Sequence, residues 1–203
     1  MAVQLAPVQH PLGIWNQFLA RQTETLVLRE KVMSLTGDSF DIKMANGQPI
    51  FKIQGKVMSI SGRKSVYDMG GNHLFDIVKE HLHIHATYAA VDPSGRKLLE
   101  VKSSFALLGS KATATFTNAS NHAQESLQMK GNWFDSAADI VDLKTGFVVG
   151  RIDRKLLSGR DLLFGQQTYA LTVAPNVDLA LMVAMCICMD EKNNEGKGGL
   201  LGF

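Results

Sequence analysis

Short enzyme signatures are missing from this chain. No G-x-S-x-G elbow, P-loop, H-E-x-x-H helix or dinucleotide fingerprint occurs in its 203 residues, and Gly109-Ser110-Lys111 lacks the loop that would cradle a phosphate. The usual routes to acyl transfer, nucleotide chemistry and zinc hydrolysis are thereby removed, no catalysis is expected, and no cofactor is implied. Cysteine is scarce too. Cys186 and Cys188 are the only two, and on a helix positions two apart point in nearly opposite directions, so they read as small buried hydrophobes and not as a disulfide or metal pair. The formal net charge of +2 is too small to indicate nucleic acid. Any electrostatic partner must be met by a local patch.

The N-terminus has no basic segment followed by a continuous apolar one, and Pro7 and Pro11 interrupt it. With no targeting segment and free cysteines, a cytoplasmic protein is expected, peripheral at a membrane if it binds lipid, and monomeric by default. The Asn118-Ala119-Ser120 sequon then carries no glycan.

Nor is any apolar run long enough for a bilayer. The longest, Leu179 to Met189 inside Asn176–Asn193, has no polar side chain on any face, and Asp178 and Asp190 bound it. A membrane span needs about 20 apolar residues. Ala, Leu and Met favour helix, and Asn176 after Pro175 reads as the N-cap, with Asp178 in the first turn. A helix apolar all round must be surrounded. At roughly 1.5 Å per residue the stretch is about as long as an ordinary strand, so the rest of the chain is expected to form a barrel around a helix spanning 176–191.

Strand and turn signals support that expectation. Gly47, Gly71 and Gly95 are spaced 24 residues apart, and Gly146 follows at slightly more than twice that interval. Three residues after each lie Ile50, Leu74, Leu98 and Val149, and six after each lie Ile53, Ile77, Val101 and Ile152. At the fifth position stand Lys52, Asp76, Glu100 and Arg151. Apolar residues flanking a polar one mark a strand with one buried face. Asn46-Gly47, Gly70-Gly71-Asn72, Asp92-Pro93-Ser94-Gly95 and Lys144-Thr145-Gly146 are hairpin turns, so the repeated unit is a β-hairpin. Further runs at Leu26–Val32, Lys56–Ile60, Leu82–Ala90, Lys111–Thr117, Glu125–Lys130 and Thr168–Val173 bring the count to about twelve strands, which close most naturally into an antiparallel barrel. Residues 1–24 form an arm with an apolar stripe of Leu12, Trp15, Phe18 and Leu19, either packed on the barrel or touching a membrane or partner. Residues 25–193 form the barrel and its helix, and 194–203 a flexible Gly-rich tail.

These residues carry a resemblance. Phe40-Asp41-Ile42 to Gly47, Ile50-Phe51-Lys52-Ile53, Arg63-Lys64 to Asp68 and Gly71, and the closing run Tyr169 to Leu181 resemble the LURP-one-related proteins. The resemblance implies the fold of the tubby C-terminal domain and of phospholipid scramblases, a closed barrel of about twelve strands around a central apolar C-terminal helix. Tubby domains bind phosphoinositide head groups through basic residues, but no tubby lipid-site motif can be matched here residue by residue, and one fold hosts many functions.

Two constellations could carry chemistry. His81, His83 and His85 alternate along a strand and so share a face, as zinc or copper ligands do. Leu82 and Ile84 on the other face fit equally well a solvated strand whose polar positions are histidines. The second constellation is basic. Ser61-Gly62-Arg63-Lys64 recurs as Ser94-Gly95-Arg96-Lys97, and Arg151, Arg154, Lys155 and Arg160 cluster later. Such loop cations can meet lipid phosphates, although Asp68, Asp92, Asp153 and Asp161 dilute them. The reading that results is a non-enzymatic binding or adaptor module for an anionic membrane lipid or a protein. The alternatives are a scramblase-like lipid-translocating protein whose helix leaves the barrel, and a metal-binding protein or enzyme built on the three histidines.

Overall fold

The turns set the strands. Gly47, Gly71, Gly95 and Gly146 have φ of 88°, 83°, 90° and 77°, the left-handed region that closes a type I turn into a hairpin. A Cβ on Gly71 would meet nothing within 4 Å, so conformation and not space requires glycine there. The computed structural model describes residues 3–29, 39–55, 63–80, 87–106, 109–131, 137–154 and 168–198. Among them run β1 (Glu24–Arg29), β2 (Ser39–Met44), β3 (Pro49–Gly55), β4 (Lys64–Asp68), β5 (His73–Glu80), β6 (Thr87–Val91), β7 (Lys97–Ala106), β8 (Gly109–Thr117), β9 (Gln124–Gly131), β10 (Ala137–Asp142), β11 (Val148–Asp153), β12 (Thr168–Val173) and α1 (Leu179–Gly198).

Every strand pairs antiparallel with its sequence neighbour, and β1 pairs with both β2 and β12, which closes the barrel. The expected run Lys56–Ile60 lies outside the described residues, as does the first part of Leu82–Ala90. The repeat holds as a set of turns but only in part as a burial pattern. A regular strand has period 2, so residues three and six after the glycine should face opposite ways. In three units the fourth and sixth residues are buried, Phe51 with Ile53, Phe75 with Ile77 and Leu99 with Val101; at the third position Ile50 and Leu98 are half-buried, whereas Leu74 and Val149 are buried.

These inward side chains surround α1. Every residue from Leu179 to Asp190 is buried, and Gly150 on β11 leaves the space that Met182 fills. Burial pushes the Cys186 and Cys188 thiols well above their ordinary pKa. The helix differs from its expected span at both ends. It starts at Leu179 because Asp178, not Asn176, is the N-cap: its carbonyl accepts the first helical bond from Met182 N, and its Oδ1 accepts from Ala180 N at 2.8 Å and Leu181 N at 3.3 Å. Asn176 has φ 65° and turns the chain into the cap. At the other end the helix continues to Gly198, past the expected limit at 191 and into the segment read as tail.

The other Asp178 oxygen faces the arm. Oδ2 accepts from Ile14 N at 2.9 Å and Trp15 N at 2.7 Å. Backbone bonds tie the same segments together, Leu12 N to Asn176 O at 2.9 Å, Ala20 N to Val177 O at 2.9 Å and Asp178 N to Leu12 O at 3.0 Å. Asn118 adds its carboxamide, donating to Pro11 O at 3.0 Å. The sequon asparagine is therefore a buried strut. The apolar stripe of the arm packs inward: Trp15 lies 4.9 Å from the Phe75 ring and Phe18 5.0 Å from Phe51, so the arm covers the mouth of the barrel where the helix begins.

Burial pushes the Asp178 carboxyl from about 3.8 up to about 6, against the pull of its four backbone hydrogen bonds. A proton is therefore bound more tightly in the folded state. The resulting stability is complete below the unfolded pKa and is lost as pH rises through about 6. Between pH 4 and pH 7 the native protein should lose about 2 kcal/mol more in urea unfolding than Asp178→Asn, since a pKa unit is worth about 1.36 kcal/mol and pH 4 already lies above the unfolded pKa; parallel pH profiles would refute this. A Cβ at Gly13 would fall 2.2 Å from the Asp178 Cβ. Gly13→Ala should cost about 1–3 kcal/mol by thermal unfolding, more than Gly150→Ala, whose Cβ would clash with the flexible end of Met182 and otherwise make ordinary contacts.

Candidate functional site

The barrel has two unlike ends. At the cap end, where α1 begins, lie the arm and the turns β2–β3, β4–β5, β6–β7, β8–β9 and β10–β11. At the far end, where α1 leaves the lumen, the strands are joined by residues 30–38, 56–62, 81–86, 107–108, 132–136 and 155–167, all outside the described residues. That removes His81, His83, His85, Lys155 and Arg160 from structural description. Among the described residues no group of three His, Cys, Asp or Glu side chains is arranged to hold a metal ion.

The remaining basic candidates do not converge. The repeated tetrapeptide enters β4 from the far end and β7 from the cap end, and Arg63 and Lys97 reach different acids of β5, Asp76 and Glu80. Each of these cations has an acidic partner. The 43% exposed side chain of Arg63 donates from Nη1 to Asp76 Oδ2 at 3.1 Å. Asp76 also accepts from Ser65 Oγ at 2.6 Å and lies 2.9 Å from His73 Nε2. Arg96 pairs with Asp92 at 3.0 Å. Lys97 pairs with Glu80 and Glu100, which hold its ammonium above the ordinary pKa. Arg151 projects outward from β11 and donates from Nε and Nη2 to the two oxygens of Asp139 at 2.7 and 3.1 Å, a bidentate fork.

Lys64 and Arg154 turn inward. Lys64 is only 5% exposed and its Nζ is ion-paired with Glu191. Arg154 lies over the Tyr169 ring at 5.3 Å. The Tyr169 hydroxyl donates to Asp190 Oδ2 at 2.8 Å. Burial is the main force raising the Asp190 carboxyl well above the usual range, against Tyr169, Arg154 and Lys64. Burial, and then the Asp190 charge, raise the Tyr169 hydroxyl as well. These groups form a polar layer that closes the lumen over the last apolar turn of α1. Two of the eight residues proposed for lipid contact therefore serve to anchor the helix.

Neither of those roles was visible in the spacing of the residues. A hint was available, because Asp178 and Asp190 stand at the two limits of an otherwise apolar run. At the cap end the arm, the β8–β9 turn and the β10–β11 turn enclose a cavity of about 100 Å³. The sequence held no signal for it, since its walls come from three distant segments. Phe147, on its rim, is 56% exposed.

Comparison with known proteins agrees with this architecture. The family model described as LURP-one-related matches residues 24–190. The chain is 25% identical to LURP-one-related 10 of Arabidopsis thaliana over 88% of its own length and 94% of the relative's. It is 22% identical to LURP-one-related 15 of the same plant over 85% and 81% of the two chains. The X-ray structure of an Arabidopsis thaliana protein superposes with a TM-score of 0.58 at 15% identity, covering 88% of this chain and 96% of that one.

The Lys64–Glu191 pair gives a direct test of the polar layer. Lys64→Met should destabilise by about 3–5 kcal/mol, because it strands a carboxylate at the barrel mouth, and the double variant Lys64→Met/Glu191→Leu should recover most of the loss. A double-mutant cycle in urea with no coupling would show that the pair does not anchor the helix.

Proposed function

The chain belongs to the LURP-one-related family, and from that starting point we propose that it is a non-enzymatic binding domain that takes its ligand on the outside of the barrel. One observation carries this. In a β-barrel the lumen is the natural site for a small ligand, and here it is filled by the chain's own helix, every residue of which from Leu179 to Asp190 is buried. What is left for recognition is the exterior and the two ends. The names of the relatives denote no enzyme.

The ligand class we favour is an anionic lipid head group met at the far end. Arg63 presents a partly exposed guanidinium there. Guanidinium exchanges a carboxylate for a phosphate with little change of geometry, and each cation near an anionic surface contributes about 1 kcal/mol. Arg96 belongs to the β6–β7 turn at the cap end, and Lys97 and Arg151 are held by acids on neighbouring strands, so none of them enters the reading. A protein partner at the cap end is the second reading, favoured by the exposed Phe147 and Leu143 on one turn. The lipid-translocating alternative asks α1 to leave the barrel, and the buried Asp178 and Asp190 at the limits of its apolar stretch oppose insertion into hydrocarbon. No described helix is long and apolar enough to cross a membrane.

Vesicle flotation tests the lipid reading. Recovery should be higher on phosphoinositide-containing vesicles than on phosphatidylcholine, should fall in high salt, and should drop severalfold for Arg63→Glu while Arg96→Glu leaves it unchanged. Equal recovery on both vesicles at low salt would overturn it.

A further inference from the structure

The cavity at the cap end has a chemistry of its own. Val8, Pro11 and Leu12 of the arm and Phe147 of the β10–β11 turn supply apolar walls around about 100 Å³, space for several waters. Glu125 lines the same space. It stands two residues before the inward Leu127 on β9, so its side chain enters the barrel mouth, and the residue is only 6% exposed. Asp142 also borders the cavity, but its carboxylate is used by its own turn, accepting from Lys144 N at 3.0 Å and Thr145 Oγ1 at 2.6 Å. Glu125 is thus the acid left to meet a ligand.

A stand-in already occupies it. Lys144 reaches back from the turn and places Nζ 3.2 Å from Glu125 Oε1, while 65% of its side chain remains exposed. An ammonium on an aliphatic chain is therefore seated on the buried carboxylate, tethered from the rim and weakly held, as mostly exposed ion pairs are. Beside it Phe147 and Leu143 project from the same turn with large exposed apolar surfaces. A free amine would not use those side chains, whereas a polypeptide carrying the amine would cover them.

We propose that this mouth binds a lysine side chain presented by a protein partner. The partner's ammonium replaces that of Lys144 on Glu125, its methylenes run along Val8, Leu12 and Phe147, and its flanking residues cover the turn. The site is separate from the lipid reading, at the other end of the barrel, and vesicle recovery and amine binding fail or succeed independently.

The test is an NMR titration of the full chain with three probes: Nα-acetyl-lysine N-methylamide, its norleucine counterpart, which lacks the ammonium, and n-butylammonium. The lysine derivative should shift the amide signals of Leu12 and Phe147, and the norleucine derivative should not. Lys144→Ala, an exposed substitution, removes the tethered competitor and should tighten binding roughly tenfold. Glu125→Gln should weaken it by at least about tenfold. Phe147→Ala, also exposed, should weaken the lysine derivative more than n-butylammonium. Unchanged affinity in Lys144→Ala, or equal shifts from the norleucine derivative, would overturn the proposal. Binding of n-butylammonium as tight as that of the lysine derivative would overturn the assignment to a polypeptide.

Discussion

One carboxylate holds the architecture together. Asp178 lies wholly buried and accepts hydrogen bonds from four backbone N–H groups, two in the first turn of the central helix and two in the N-terminal arm. Without it the helix would start with orphan donors inside an apolar lumen, and the arm would lose its fixed point beside Trp15. Its requirements spread outward. Gly13 lacks a side chain because the Asp178 Cβ occupies the place where one would go. Asn176 takes a positive φ so that the chain can swing from β12 into the cap. The arm in turn covers the barrel mouth with Trp15 and Phe18.

The opposite end solves the same problem with charge. The helix emerges from the lumen through Asp190 and Glu191, and Tyr169, Arg154 and Lys64 from the wall meet those two acids. Buried charges are tolerated only when paired, so a helix closed at both ends by carboxylates has its position along the barrel axis defined. This is the tubby-like arrangement of a closed barrel around its own helix. Its functional consequence is that the interior, the usual ligand site of a barrel, is already full. The exposed features lie at the rims, where Arg63, Phe147 and the Glu125 mouth are found.

Much of this could be read before folding. The left-handed glycines, the apolar run matched in length to a strand, and the family likeness all led to a twelve-stranded barrel around a helix. The departures from local pattern have local causes. Ile50 and Leu98 lie three residues after their glycines, and the two-residue period of a strand turns them away from the lumen. Asn176 and Asp178 both suit a helix cap, and the position falls to Asp178, whose second oxygen reaches the arm. β10 opens with Ala137-Ala138-Asp139, weak strand formers that are ordered by pairing with β9 and β11 on either side. The candidate site was less legible than the fold. Two copies of one tetrapeptide suggested one basic patch, yet they enter the barrel from opposite ends, and Lys64 turned out to be a buried anchor.

The order of residues alone was enough to establish the hairpin turns, many of the strands they join, the buried helix and the family, because each rests on short-range periodicity, backbone conformation or local likeness. Only the folded chain could tell which charges are spent internally and which remain outside. Lys64 and Glu191 are 127 positions apart, and Asp178 and Trp15 are 163 apart. Whether a side chain meets a partner across such a separation depends on where barrel closure brings it, and no local pattern encodes that.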